Sequence, residues 1–74
     1  MAQKKDIDIR MSKRGSPHEV KFYTDVDDPH FIIIEVRKKA DGLLSNSHYI
    51  IGADLEQWKR RFEREGFIIQ EEQR

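Results

Sequence analysis

The stretch Glu19 to Thr24 puts Val20 and Phe22 on one side and Glu19, Lys21 and Tyr23 on the other, the period-two pattern of a half-covered strand. It runs into Asp25-Val26-Asp27-Asp28-Pro29, a cluster of turn formers. Phe31 to Arg37 follows, apolar on both sides through its first half, as a strand covered from two directions requires. Lys38 to Asn46 contains Asp41-Gly42 and Ser45-Asn46 and reads as a hairpin loop, and His48 to Ile51 as a third strand.

The period then changes. Leu55, Trp58 and Phe62 share one face at helical spacing. Asp54 is placed to cap the first turn through its carboxylate, with Gln57 at the reciprocal capping-box position. Gly66 suits the position just past a helix end that needs positive φ, and Phe67 would then pack back on Phe62 in a Schellman stop. A helix from Leu55 to Glu65 is predicted, then a short strand Phe67 to Gln70 and a frayed polar end over residues 71–74.

Residues 1–17 read as a flexible basic tail, with Ser12, Gly15 and Ser16 interrupting any pattern. The alternation of Ile7, Ile9 and Met11 with charged neighbours makes a short edge strand the competing reading. The expected architecture is a single α+β domain over residues 18–70, ordered strand-strand-strand-helix-strand, with one helix on one face of a small antiparallel sheet. One helix leaves the second face bare although Phe31, Ile33 and part of Phe67 to Ile69 are apolar there. A second copy of the chain is expected to cover it, because a chain of this size has little core of its own and a two-fold interface lets one patch bury itself. The alternative is that the N-terminal segment folds across it.

Composition narrows the chemistry. The 74 residues hold 14 Lys and Arg, 14 Asp and Glu, and no cysteine. This excludes a disulfide framework, a thiolate nucleophile and a cysteine zinc site. Neutrality hides an asymmetry, since the first seventeen residues carry five bases against two acids and the remainder nine against twelve. Neither a signal peptide nor a spanning helix is credible from the short apolar runs, so an intracellular, cytoplasmic protein away from membranes is expected.

His18, His30 and His48 show no metal-ligand spacing, and no serine lies in a glycine-flanked elbow. The adjacent pairs Asp27-Asp28 and Glu71-Glu72 suit a turn and a chain end, and the isolated glycines form no phosphate cradle. No enzyme activity and no cofactor are expected. The remaining signal is cations interleaved with rings: Lys21, Tyr23, Arg37, Lys38 and Lys39 on or beside the first two predicted strands. These supply the phosphate partners and stacking surface that a single strand needs. Lys59, Arg60, Arg61 and Arg64 read more simply as a solvated helix face, and Trp58 as core.

Phe31-Ile32-Ile33-Ile34-Glu35-Val36-Arg37, then Tyr49-Ile50-Ile51 leading into Asp54-Leu55-Glu56-Gln57-Trp58-Lys59, resembles the core of the positive-cofactor-four type transcriptional coactivators over about residues 18–65, most specifically at Glu56-Gln57-Trp58. The resemblance implies a curved antiparallel sheet backed by a helix, a homodimer through helices and strands, and single-stranded DNA across the sheets in transcription or DNA metabolism. It would make Lys21, Arg37 and Lys38 phosphate cations and Tyr23 a stacking ring. The chain departs from the pattern in having Ser47-His48 where the family has Gly, in the short loop Lys38 to Asn46, and in the apolar strand after the helix. The net negative charge of residues 18–74 demands strong segregation of charge if a nucleic acid is to bind. The alternative function is a protein-interaction module, such as a small regulatory or phage-type adaptor or inhibitor of a larger host protein.

Overall fold

A computed structural model describes residues 6–73. Five strands and one helix follow in the order β1 (Asp8–Ser12), β2 (His18–Thr24), β3 (Phe31–Lys38), β4 (Leu44–Ile51), a 3₁₀ turn (Gly52–Asp54), α1 (Leu55–Arg64) and β5 (Ile68–Gln73). All neighbouring strands are antiparallel, and the sheet runs β4-β3-β2-β1-β5. The α+β class and the single helix agree with the sequence reading; the strand count and order do not.

The segment read as a flexible tail holds a strand in the interior of the sheet. β1 pairs with β2 on one side and β5 on the other, which sends Ile9 and Met11 to full burial beside Val20 and Phe22. Burying side chains of this size stabilises by roughly 1.5–3 kcal/mol each, enough to outweigh the cost of ordering a segment dense in charge. The charges are accommodated on the opposite face, where Arg10 lies 3.9 Å from Asp8 and 3.6 Å from Glu71. That pairing also corrects the frayed end, because β5 extends through Glu71 and Glu72 to Gln73. The N-terminal segment thus extends the sheet instead of folding across its bare face.

The helix covers one face. Leu55, Phe62 and, at the next position after its stop, Phe67 close over Ile9, Met11, Val20, Phe22, Ile32, Ile34 and Ile50. Phe62 meets Phe22 edge-on at 5.9 Å between centroids and Phe67 at 5.7 Å. The stop is the one expected: Gly66 has φ +102°, its N–H donates to the Glu63 carbonyl, and the Phe67 N–H donates to the Phe62 carbonyl, both at 3.0 Å. The start differs. Asp54 makes no side-chain cap hydrogen bond, because the 3₁₀ turn leads into the helix and the Leu55 N–H already donates to the Gly52 carbonyl. Lys59, read as solvated, is buried on the core side of α1, with Nζ 3.6 Å from Glu56 and 3.5 Å from Glu72. Among the described residues no helix is long and apolar enough to cross a membrane.

Candidate functional site

Strand register fixes the outward face of the sheet. One rung across it is Asp8, Tyr23, Ile33, Tyr49; the next is Arg10, Lys21, Glu35, Ser47, with Glu71 beyond Arg10; a third is Ser12, Glu19, Arg37, Leu44. Lys21 and Arg37 therefore share a face, as their parity requires, but Glu35 lies between them. Arg37 donates to Glu35 through Nε at 3.0 Å and Nη2 at 3.1 Å, and through Nη1 to the Gly42 carbonyl at 2.7 Å. The Tyr23 hydroxyl donates to the same carboxylate at 2.9 Å. The Arg37 guanidinium hydrogen bonds hold the Glu35 carboxyl below its usual range, and Glu35 in turn raises Arg37. Burial first, and then the bond to Glu35, raises the Tyr23 phenol. Lys21 sits 5.3 Å from the centre of the Tyr23 ring. A groove of about 200 Å³ is lined here by Arg10, Glu19, Val20, Lys21, Glu35 and Arg37, so its three cations face two carboxylates.

At the lower end of this face the rings gather. Phe31 and Tyr49 stack at 4.7 Å with an 11° tilt, and Tyr49 and Ile51 remain about half exposed. The Tyr49 hydroxyl donates to Asp25, which lifts the phenol to about 12 and lowers the Asp25 carboxyl.

Lys38 and Lys39 are not on this platform. Lys38 ends β3 on the other parity, and Lys39 is in the turn after it. There Lys39 Nζ donates to the Lys13 carbonyl at 3.1 Å and its N–H to the Pro17 carbonyl at 2.8 Å. The Lys13 side chain in turn lies against Gly66 at the end of α1. The turns β1–β2 and β3–β4 and the helix C-terminus thus meet at one end of the molecule, bringing together Lys13, Arg14, Lys38, Lys39 and Arg64. Asp41, Glu63 and Glu65 are the acids of that end, leaving a net of +2. None of the five cations forms an ion pair among the described residues.

The opposite end is acidic. The β2–β3 turn carries Asp25, Asp27 and Asp28, and the Gly52 N–H donating to the His30 carbonyl at 2.8 Å brings Asp54 to the same end. Eight residues of β3 separate the ends, about 25 Å at strand rise. Charge is segregated along the strand axis and mixed across the sheet face. Arg60, Arg61 and Arg64 on α1 are exposed, and Arg61 stacks 5.0 Å over Trp58. A second groove of about 500 Å³ is lined by Asp54, Gln57, Trp58, Arg61 and Arg64.

The end cluster was missed in sequence because it joins residues 13, 39 and 66 through tertiary contacts. Among the described residues no three His, Asp or Glu side chains converge into a metal-binding group. No family model, curated protein or solved structure matches the chain.

Proposed function

We propose that this chain is a non-enzymatic, homodimeric binder of single-stranded nucleic acid, DNA by the resemblance noted above, whose phosphate contacts come from the basic end. The observation that carries this reading is the set of five cations, Lys13, Arg14, Lys38, Lys39 and Arg64, gathered at one end and forming no ion pair among the described residues. Free cations release counterions on meeting phosphates; cations already bonded to carboxylates, such as Arg37, gain less. Lys38 and Lys39 keep their proposed role, whereas Lys21 and Arg37 become flanking groups. Tyr49 offers an exposed ring on the sheet face, five residues from the end of β4's partner strand and roughly 17 Å from it.

Five phosphate contacts predict a slope of about −3.5 for log affinity against log salt on a single strand, or on the order of 100-fold weaker binding at 200 mM than at 50 mM. Lys38→Ala with Lys39→Ala removes two contacts, lowering the slope to about −2 and the loss to roughly 20-fold. Fluorescence anisotropy of a short labelled oligonucleotide reads both values. Folded protein that binds nothing at 50 mM salt ends the proposal, and an unchanged slope in the double variant removes the basic end from it.

A protein-interaction module is the second reading, favoured by the outward apolar strip of Phe31, Ile33, Tyr49 and Ile51. It predicts that oligonucleotide leaves the amide spectrum of the chain unmoved.

A further inference from the structure

The two edges of the sheet are treated differently by the sequence. β5 carries Glu71 and Glu72, charges of the kind that keep an open edge from pairing with another chain. β4, the other edge, lies inside residues 42–53, a twelve-residue run with no Lys, Arg, Asp or Glu in a chain that is 38% charged. It has no proline, and Leu44, Tyr49 and Ile51 on it are exposed. Because the Gly52 N–H points into the sheet at His30, antiparallel alternation turns the backbone groups of Ile50 and His48 toward β3 and those of Ser47, Tyr49 and Ile51 outward. An unguarded row of donors and acceptors results.

The groove on α1 supplies the orientation of a partner. Trp58 lies 4.7 Å from His48, so the groove side of the helix faces the middle of β4. Asp54 stands at one end of this groove, Trp58 in the middle, and Arg61 and Arg64 at the other. Asp54, Arg61 and Arg64 form no ion pair among the described residues. A two-fold axis normal to the sheet and just outside the middle of β4 turns the groove end for end, bringing the Asp54 of one copy toward Arg61 and Arg64 of the other and Trp58 toward its twin. The same operation sets the basic end of one sheet beside the acidic end of the next.

We infer that a second copy of this chain pairs antiparallel along β4, joining two five-stranded sheets into one of ten strands, with Asp54 of each copy meeting Arg61 and Arg64 of the other. This rests on the dimeric part of the reading above; it shares only Arg64 with the nucleic-acid part, whose other cations, Lys13, Arg14, Lys38 and Lys39, lie outside the groove. Self-complementarity is the property an isologous interface needs, and the groove has it in both charge and position.

Charge exchange tests the seam. Sedimentation equilibrium should give a dimer for the wild-type chain. Asp54→Arg alone and Arg61→Glu with Arg64→Glu should each sediment as folded monomers, and an equimolar mixture should recover the dimer, because both cross-seam contacts become attractive again. Asp54 makes no cap hydrogen bond, so its replacement leaves the start of α1 intact; circular dichroism checks the fold of each variant. Ser47→Lys, an added edge charge, gives a second disruption should a groove variant fail to fold. A wild-type monomer throughout the concentration range overturns both the dimer and its seam. A dimer that survives all of these substitutions overturns the seam alone.

Discussion

Gly66→Ala should destabilise the fold by an amount that its geometry sets. The residue has φ +102°, where an L side chain costs about 1–2 kcal/mol. The conformation cannot relax freely, since the Gly66 and Phe67 amides both close the helix onto Glu63 and Phe62, and Phe67 is anchored against the Phe62 ring. A methyl group at residue 66 would lie 3.1 Å from Lys13 Cε and 3.4 Å from Cδ. That contact is tight, but it involves the far end of a flexible chain that can swing aside. Backbone strain therefore dominates and sterics add little. The entropy gained by stiffening the unfolded chain, about 0.4–1 kcal/mol where the native φ suits alanine, does not compensate where it does not. The expected net loss is about 1–2 kcal/mol, or roughly 5–15 °C in Tm for a domain of this size.

Urea denaturation followed by circular dichroism should show a lower midpoint at unchanged slope. Adding Lys13→Ala to the variant should recover little of the loss, and Gly66→Asn should lose less than Gly66→Ala because asparagine tolerates the left-handed region better. Gly15, at φ +85° with nothing within 4 Å of an added Cβ, isolates the backbone cost, so Gly15→Ala should lose a similar amount. An unaltered midpoint for Gly66→Ala refutes the argument, and complete rescue by Lys13→Ala shows that crowding, and not φ, was responsible.

Ile9→Ala should cost about 2–5 kcal/mol and the amides of β1 should exchange as slowly as those of β2; fast exchange at Met11 would return the segment to a tail. The carboxyls of Glu35 and Asp25 titrate below their ordinary range when folded, so their stabilisation is complete above the unfolded carboxylate value of about 4 and is lost as pH falls through the folded values. Glu35→Gln should flatten the acid limb of the urea midpoint against pH; an identical limb in both proteins contradicts this. Both tyrosines titrate above the ordinary 10, Tyr49 at about 12, so an ultraviolet absorbance titration should find less than half of the tyrosine ionised at pH 10, and Asp25→Asn should bring one transition down. Because these phenol values are raised, the associated stability is present below pH 10 and fades as pH rises through the folded values.

What could be read from the sequence was what neighbours in the chain decide. β2 and β3 follow from alternation over a few residues, and the end of α1 from Gly66 and Phe67 standing in the right order. β1 needed more. Ile9 gains its burial from Phe22 and from a strand that begins at Ile68, and no window around residue 9 contains either partner. Lys59 became buried for the same reason, its carboxylate Glu72 arriving with β5. The capping role of Asp54 failed locally, because the residues just before it already turn. Lys21 and Arg37 share one face by parity, but which residue separates them depends on β2–β3 register, which opposes Lys21 to Glu35.

The charge polarity of the molecule was nonetheless written in the order of its turns. In an antiparallel meander successive turns emerge at alternate ends of the sheet. Here the turn after β1 carries Lys13 and Arg14, the next Asp25, Asp27 and Asp28, the next Lys38 and Lys39, and the junction after β4 carries Asp54, before α1 returns Arg64 to the first end. The dominant sign alternates over the first four reversals, although the turn after β3 also carries Asp41 and the end of α1 sets Glu63 and Glu65 beside Arg64. A free tail over residues 1–17 would have hidden the first member of the series. Once β1 is a strand, the alternation separates the charges along the axis while leaving the total at zero. Axial separation has two physical consequences that a charged sheet face would not have: it gathers at one end the cations on which the proposed phosphate contacts rest, and it sets opposite charges side by side when two copies are laid antiparallel, edge to edge.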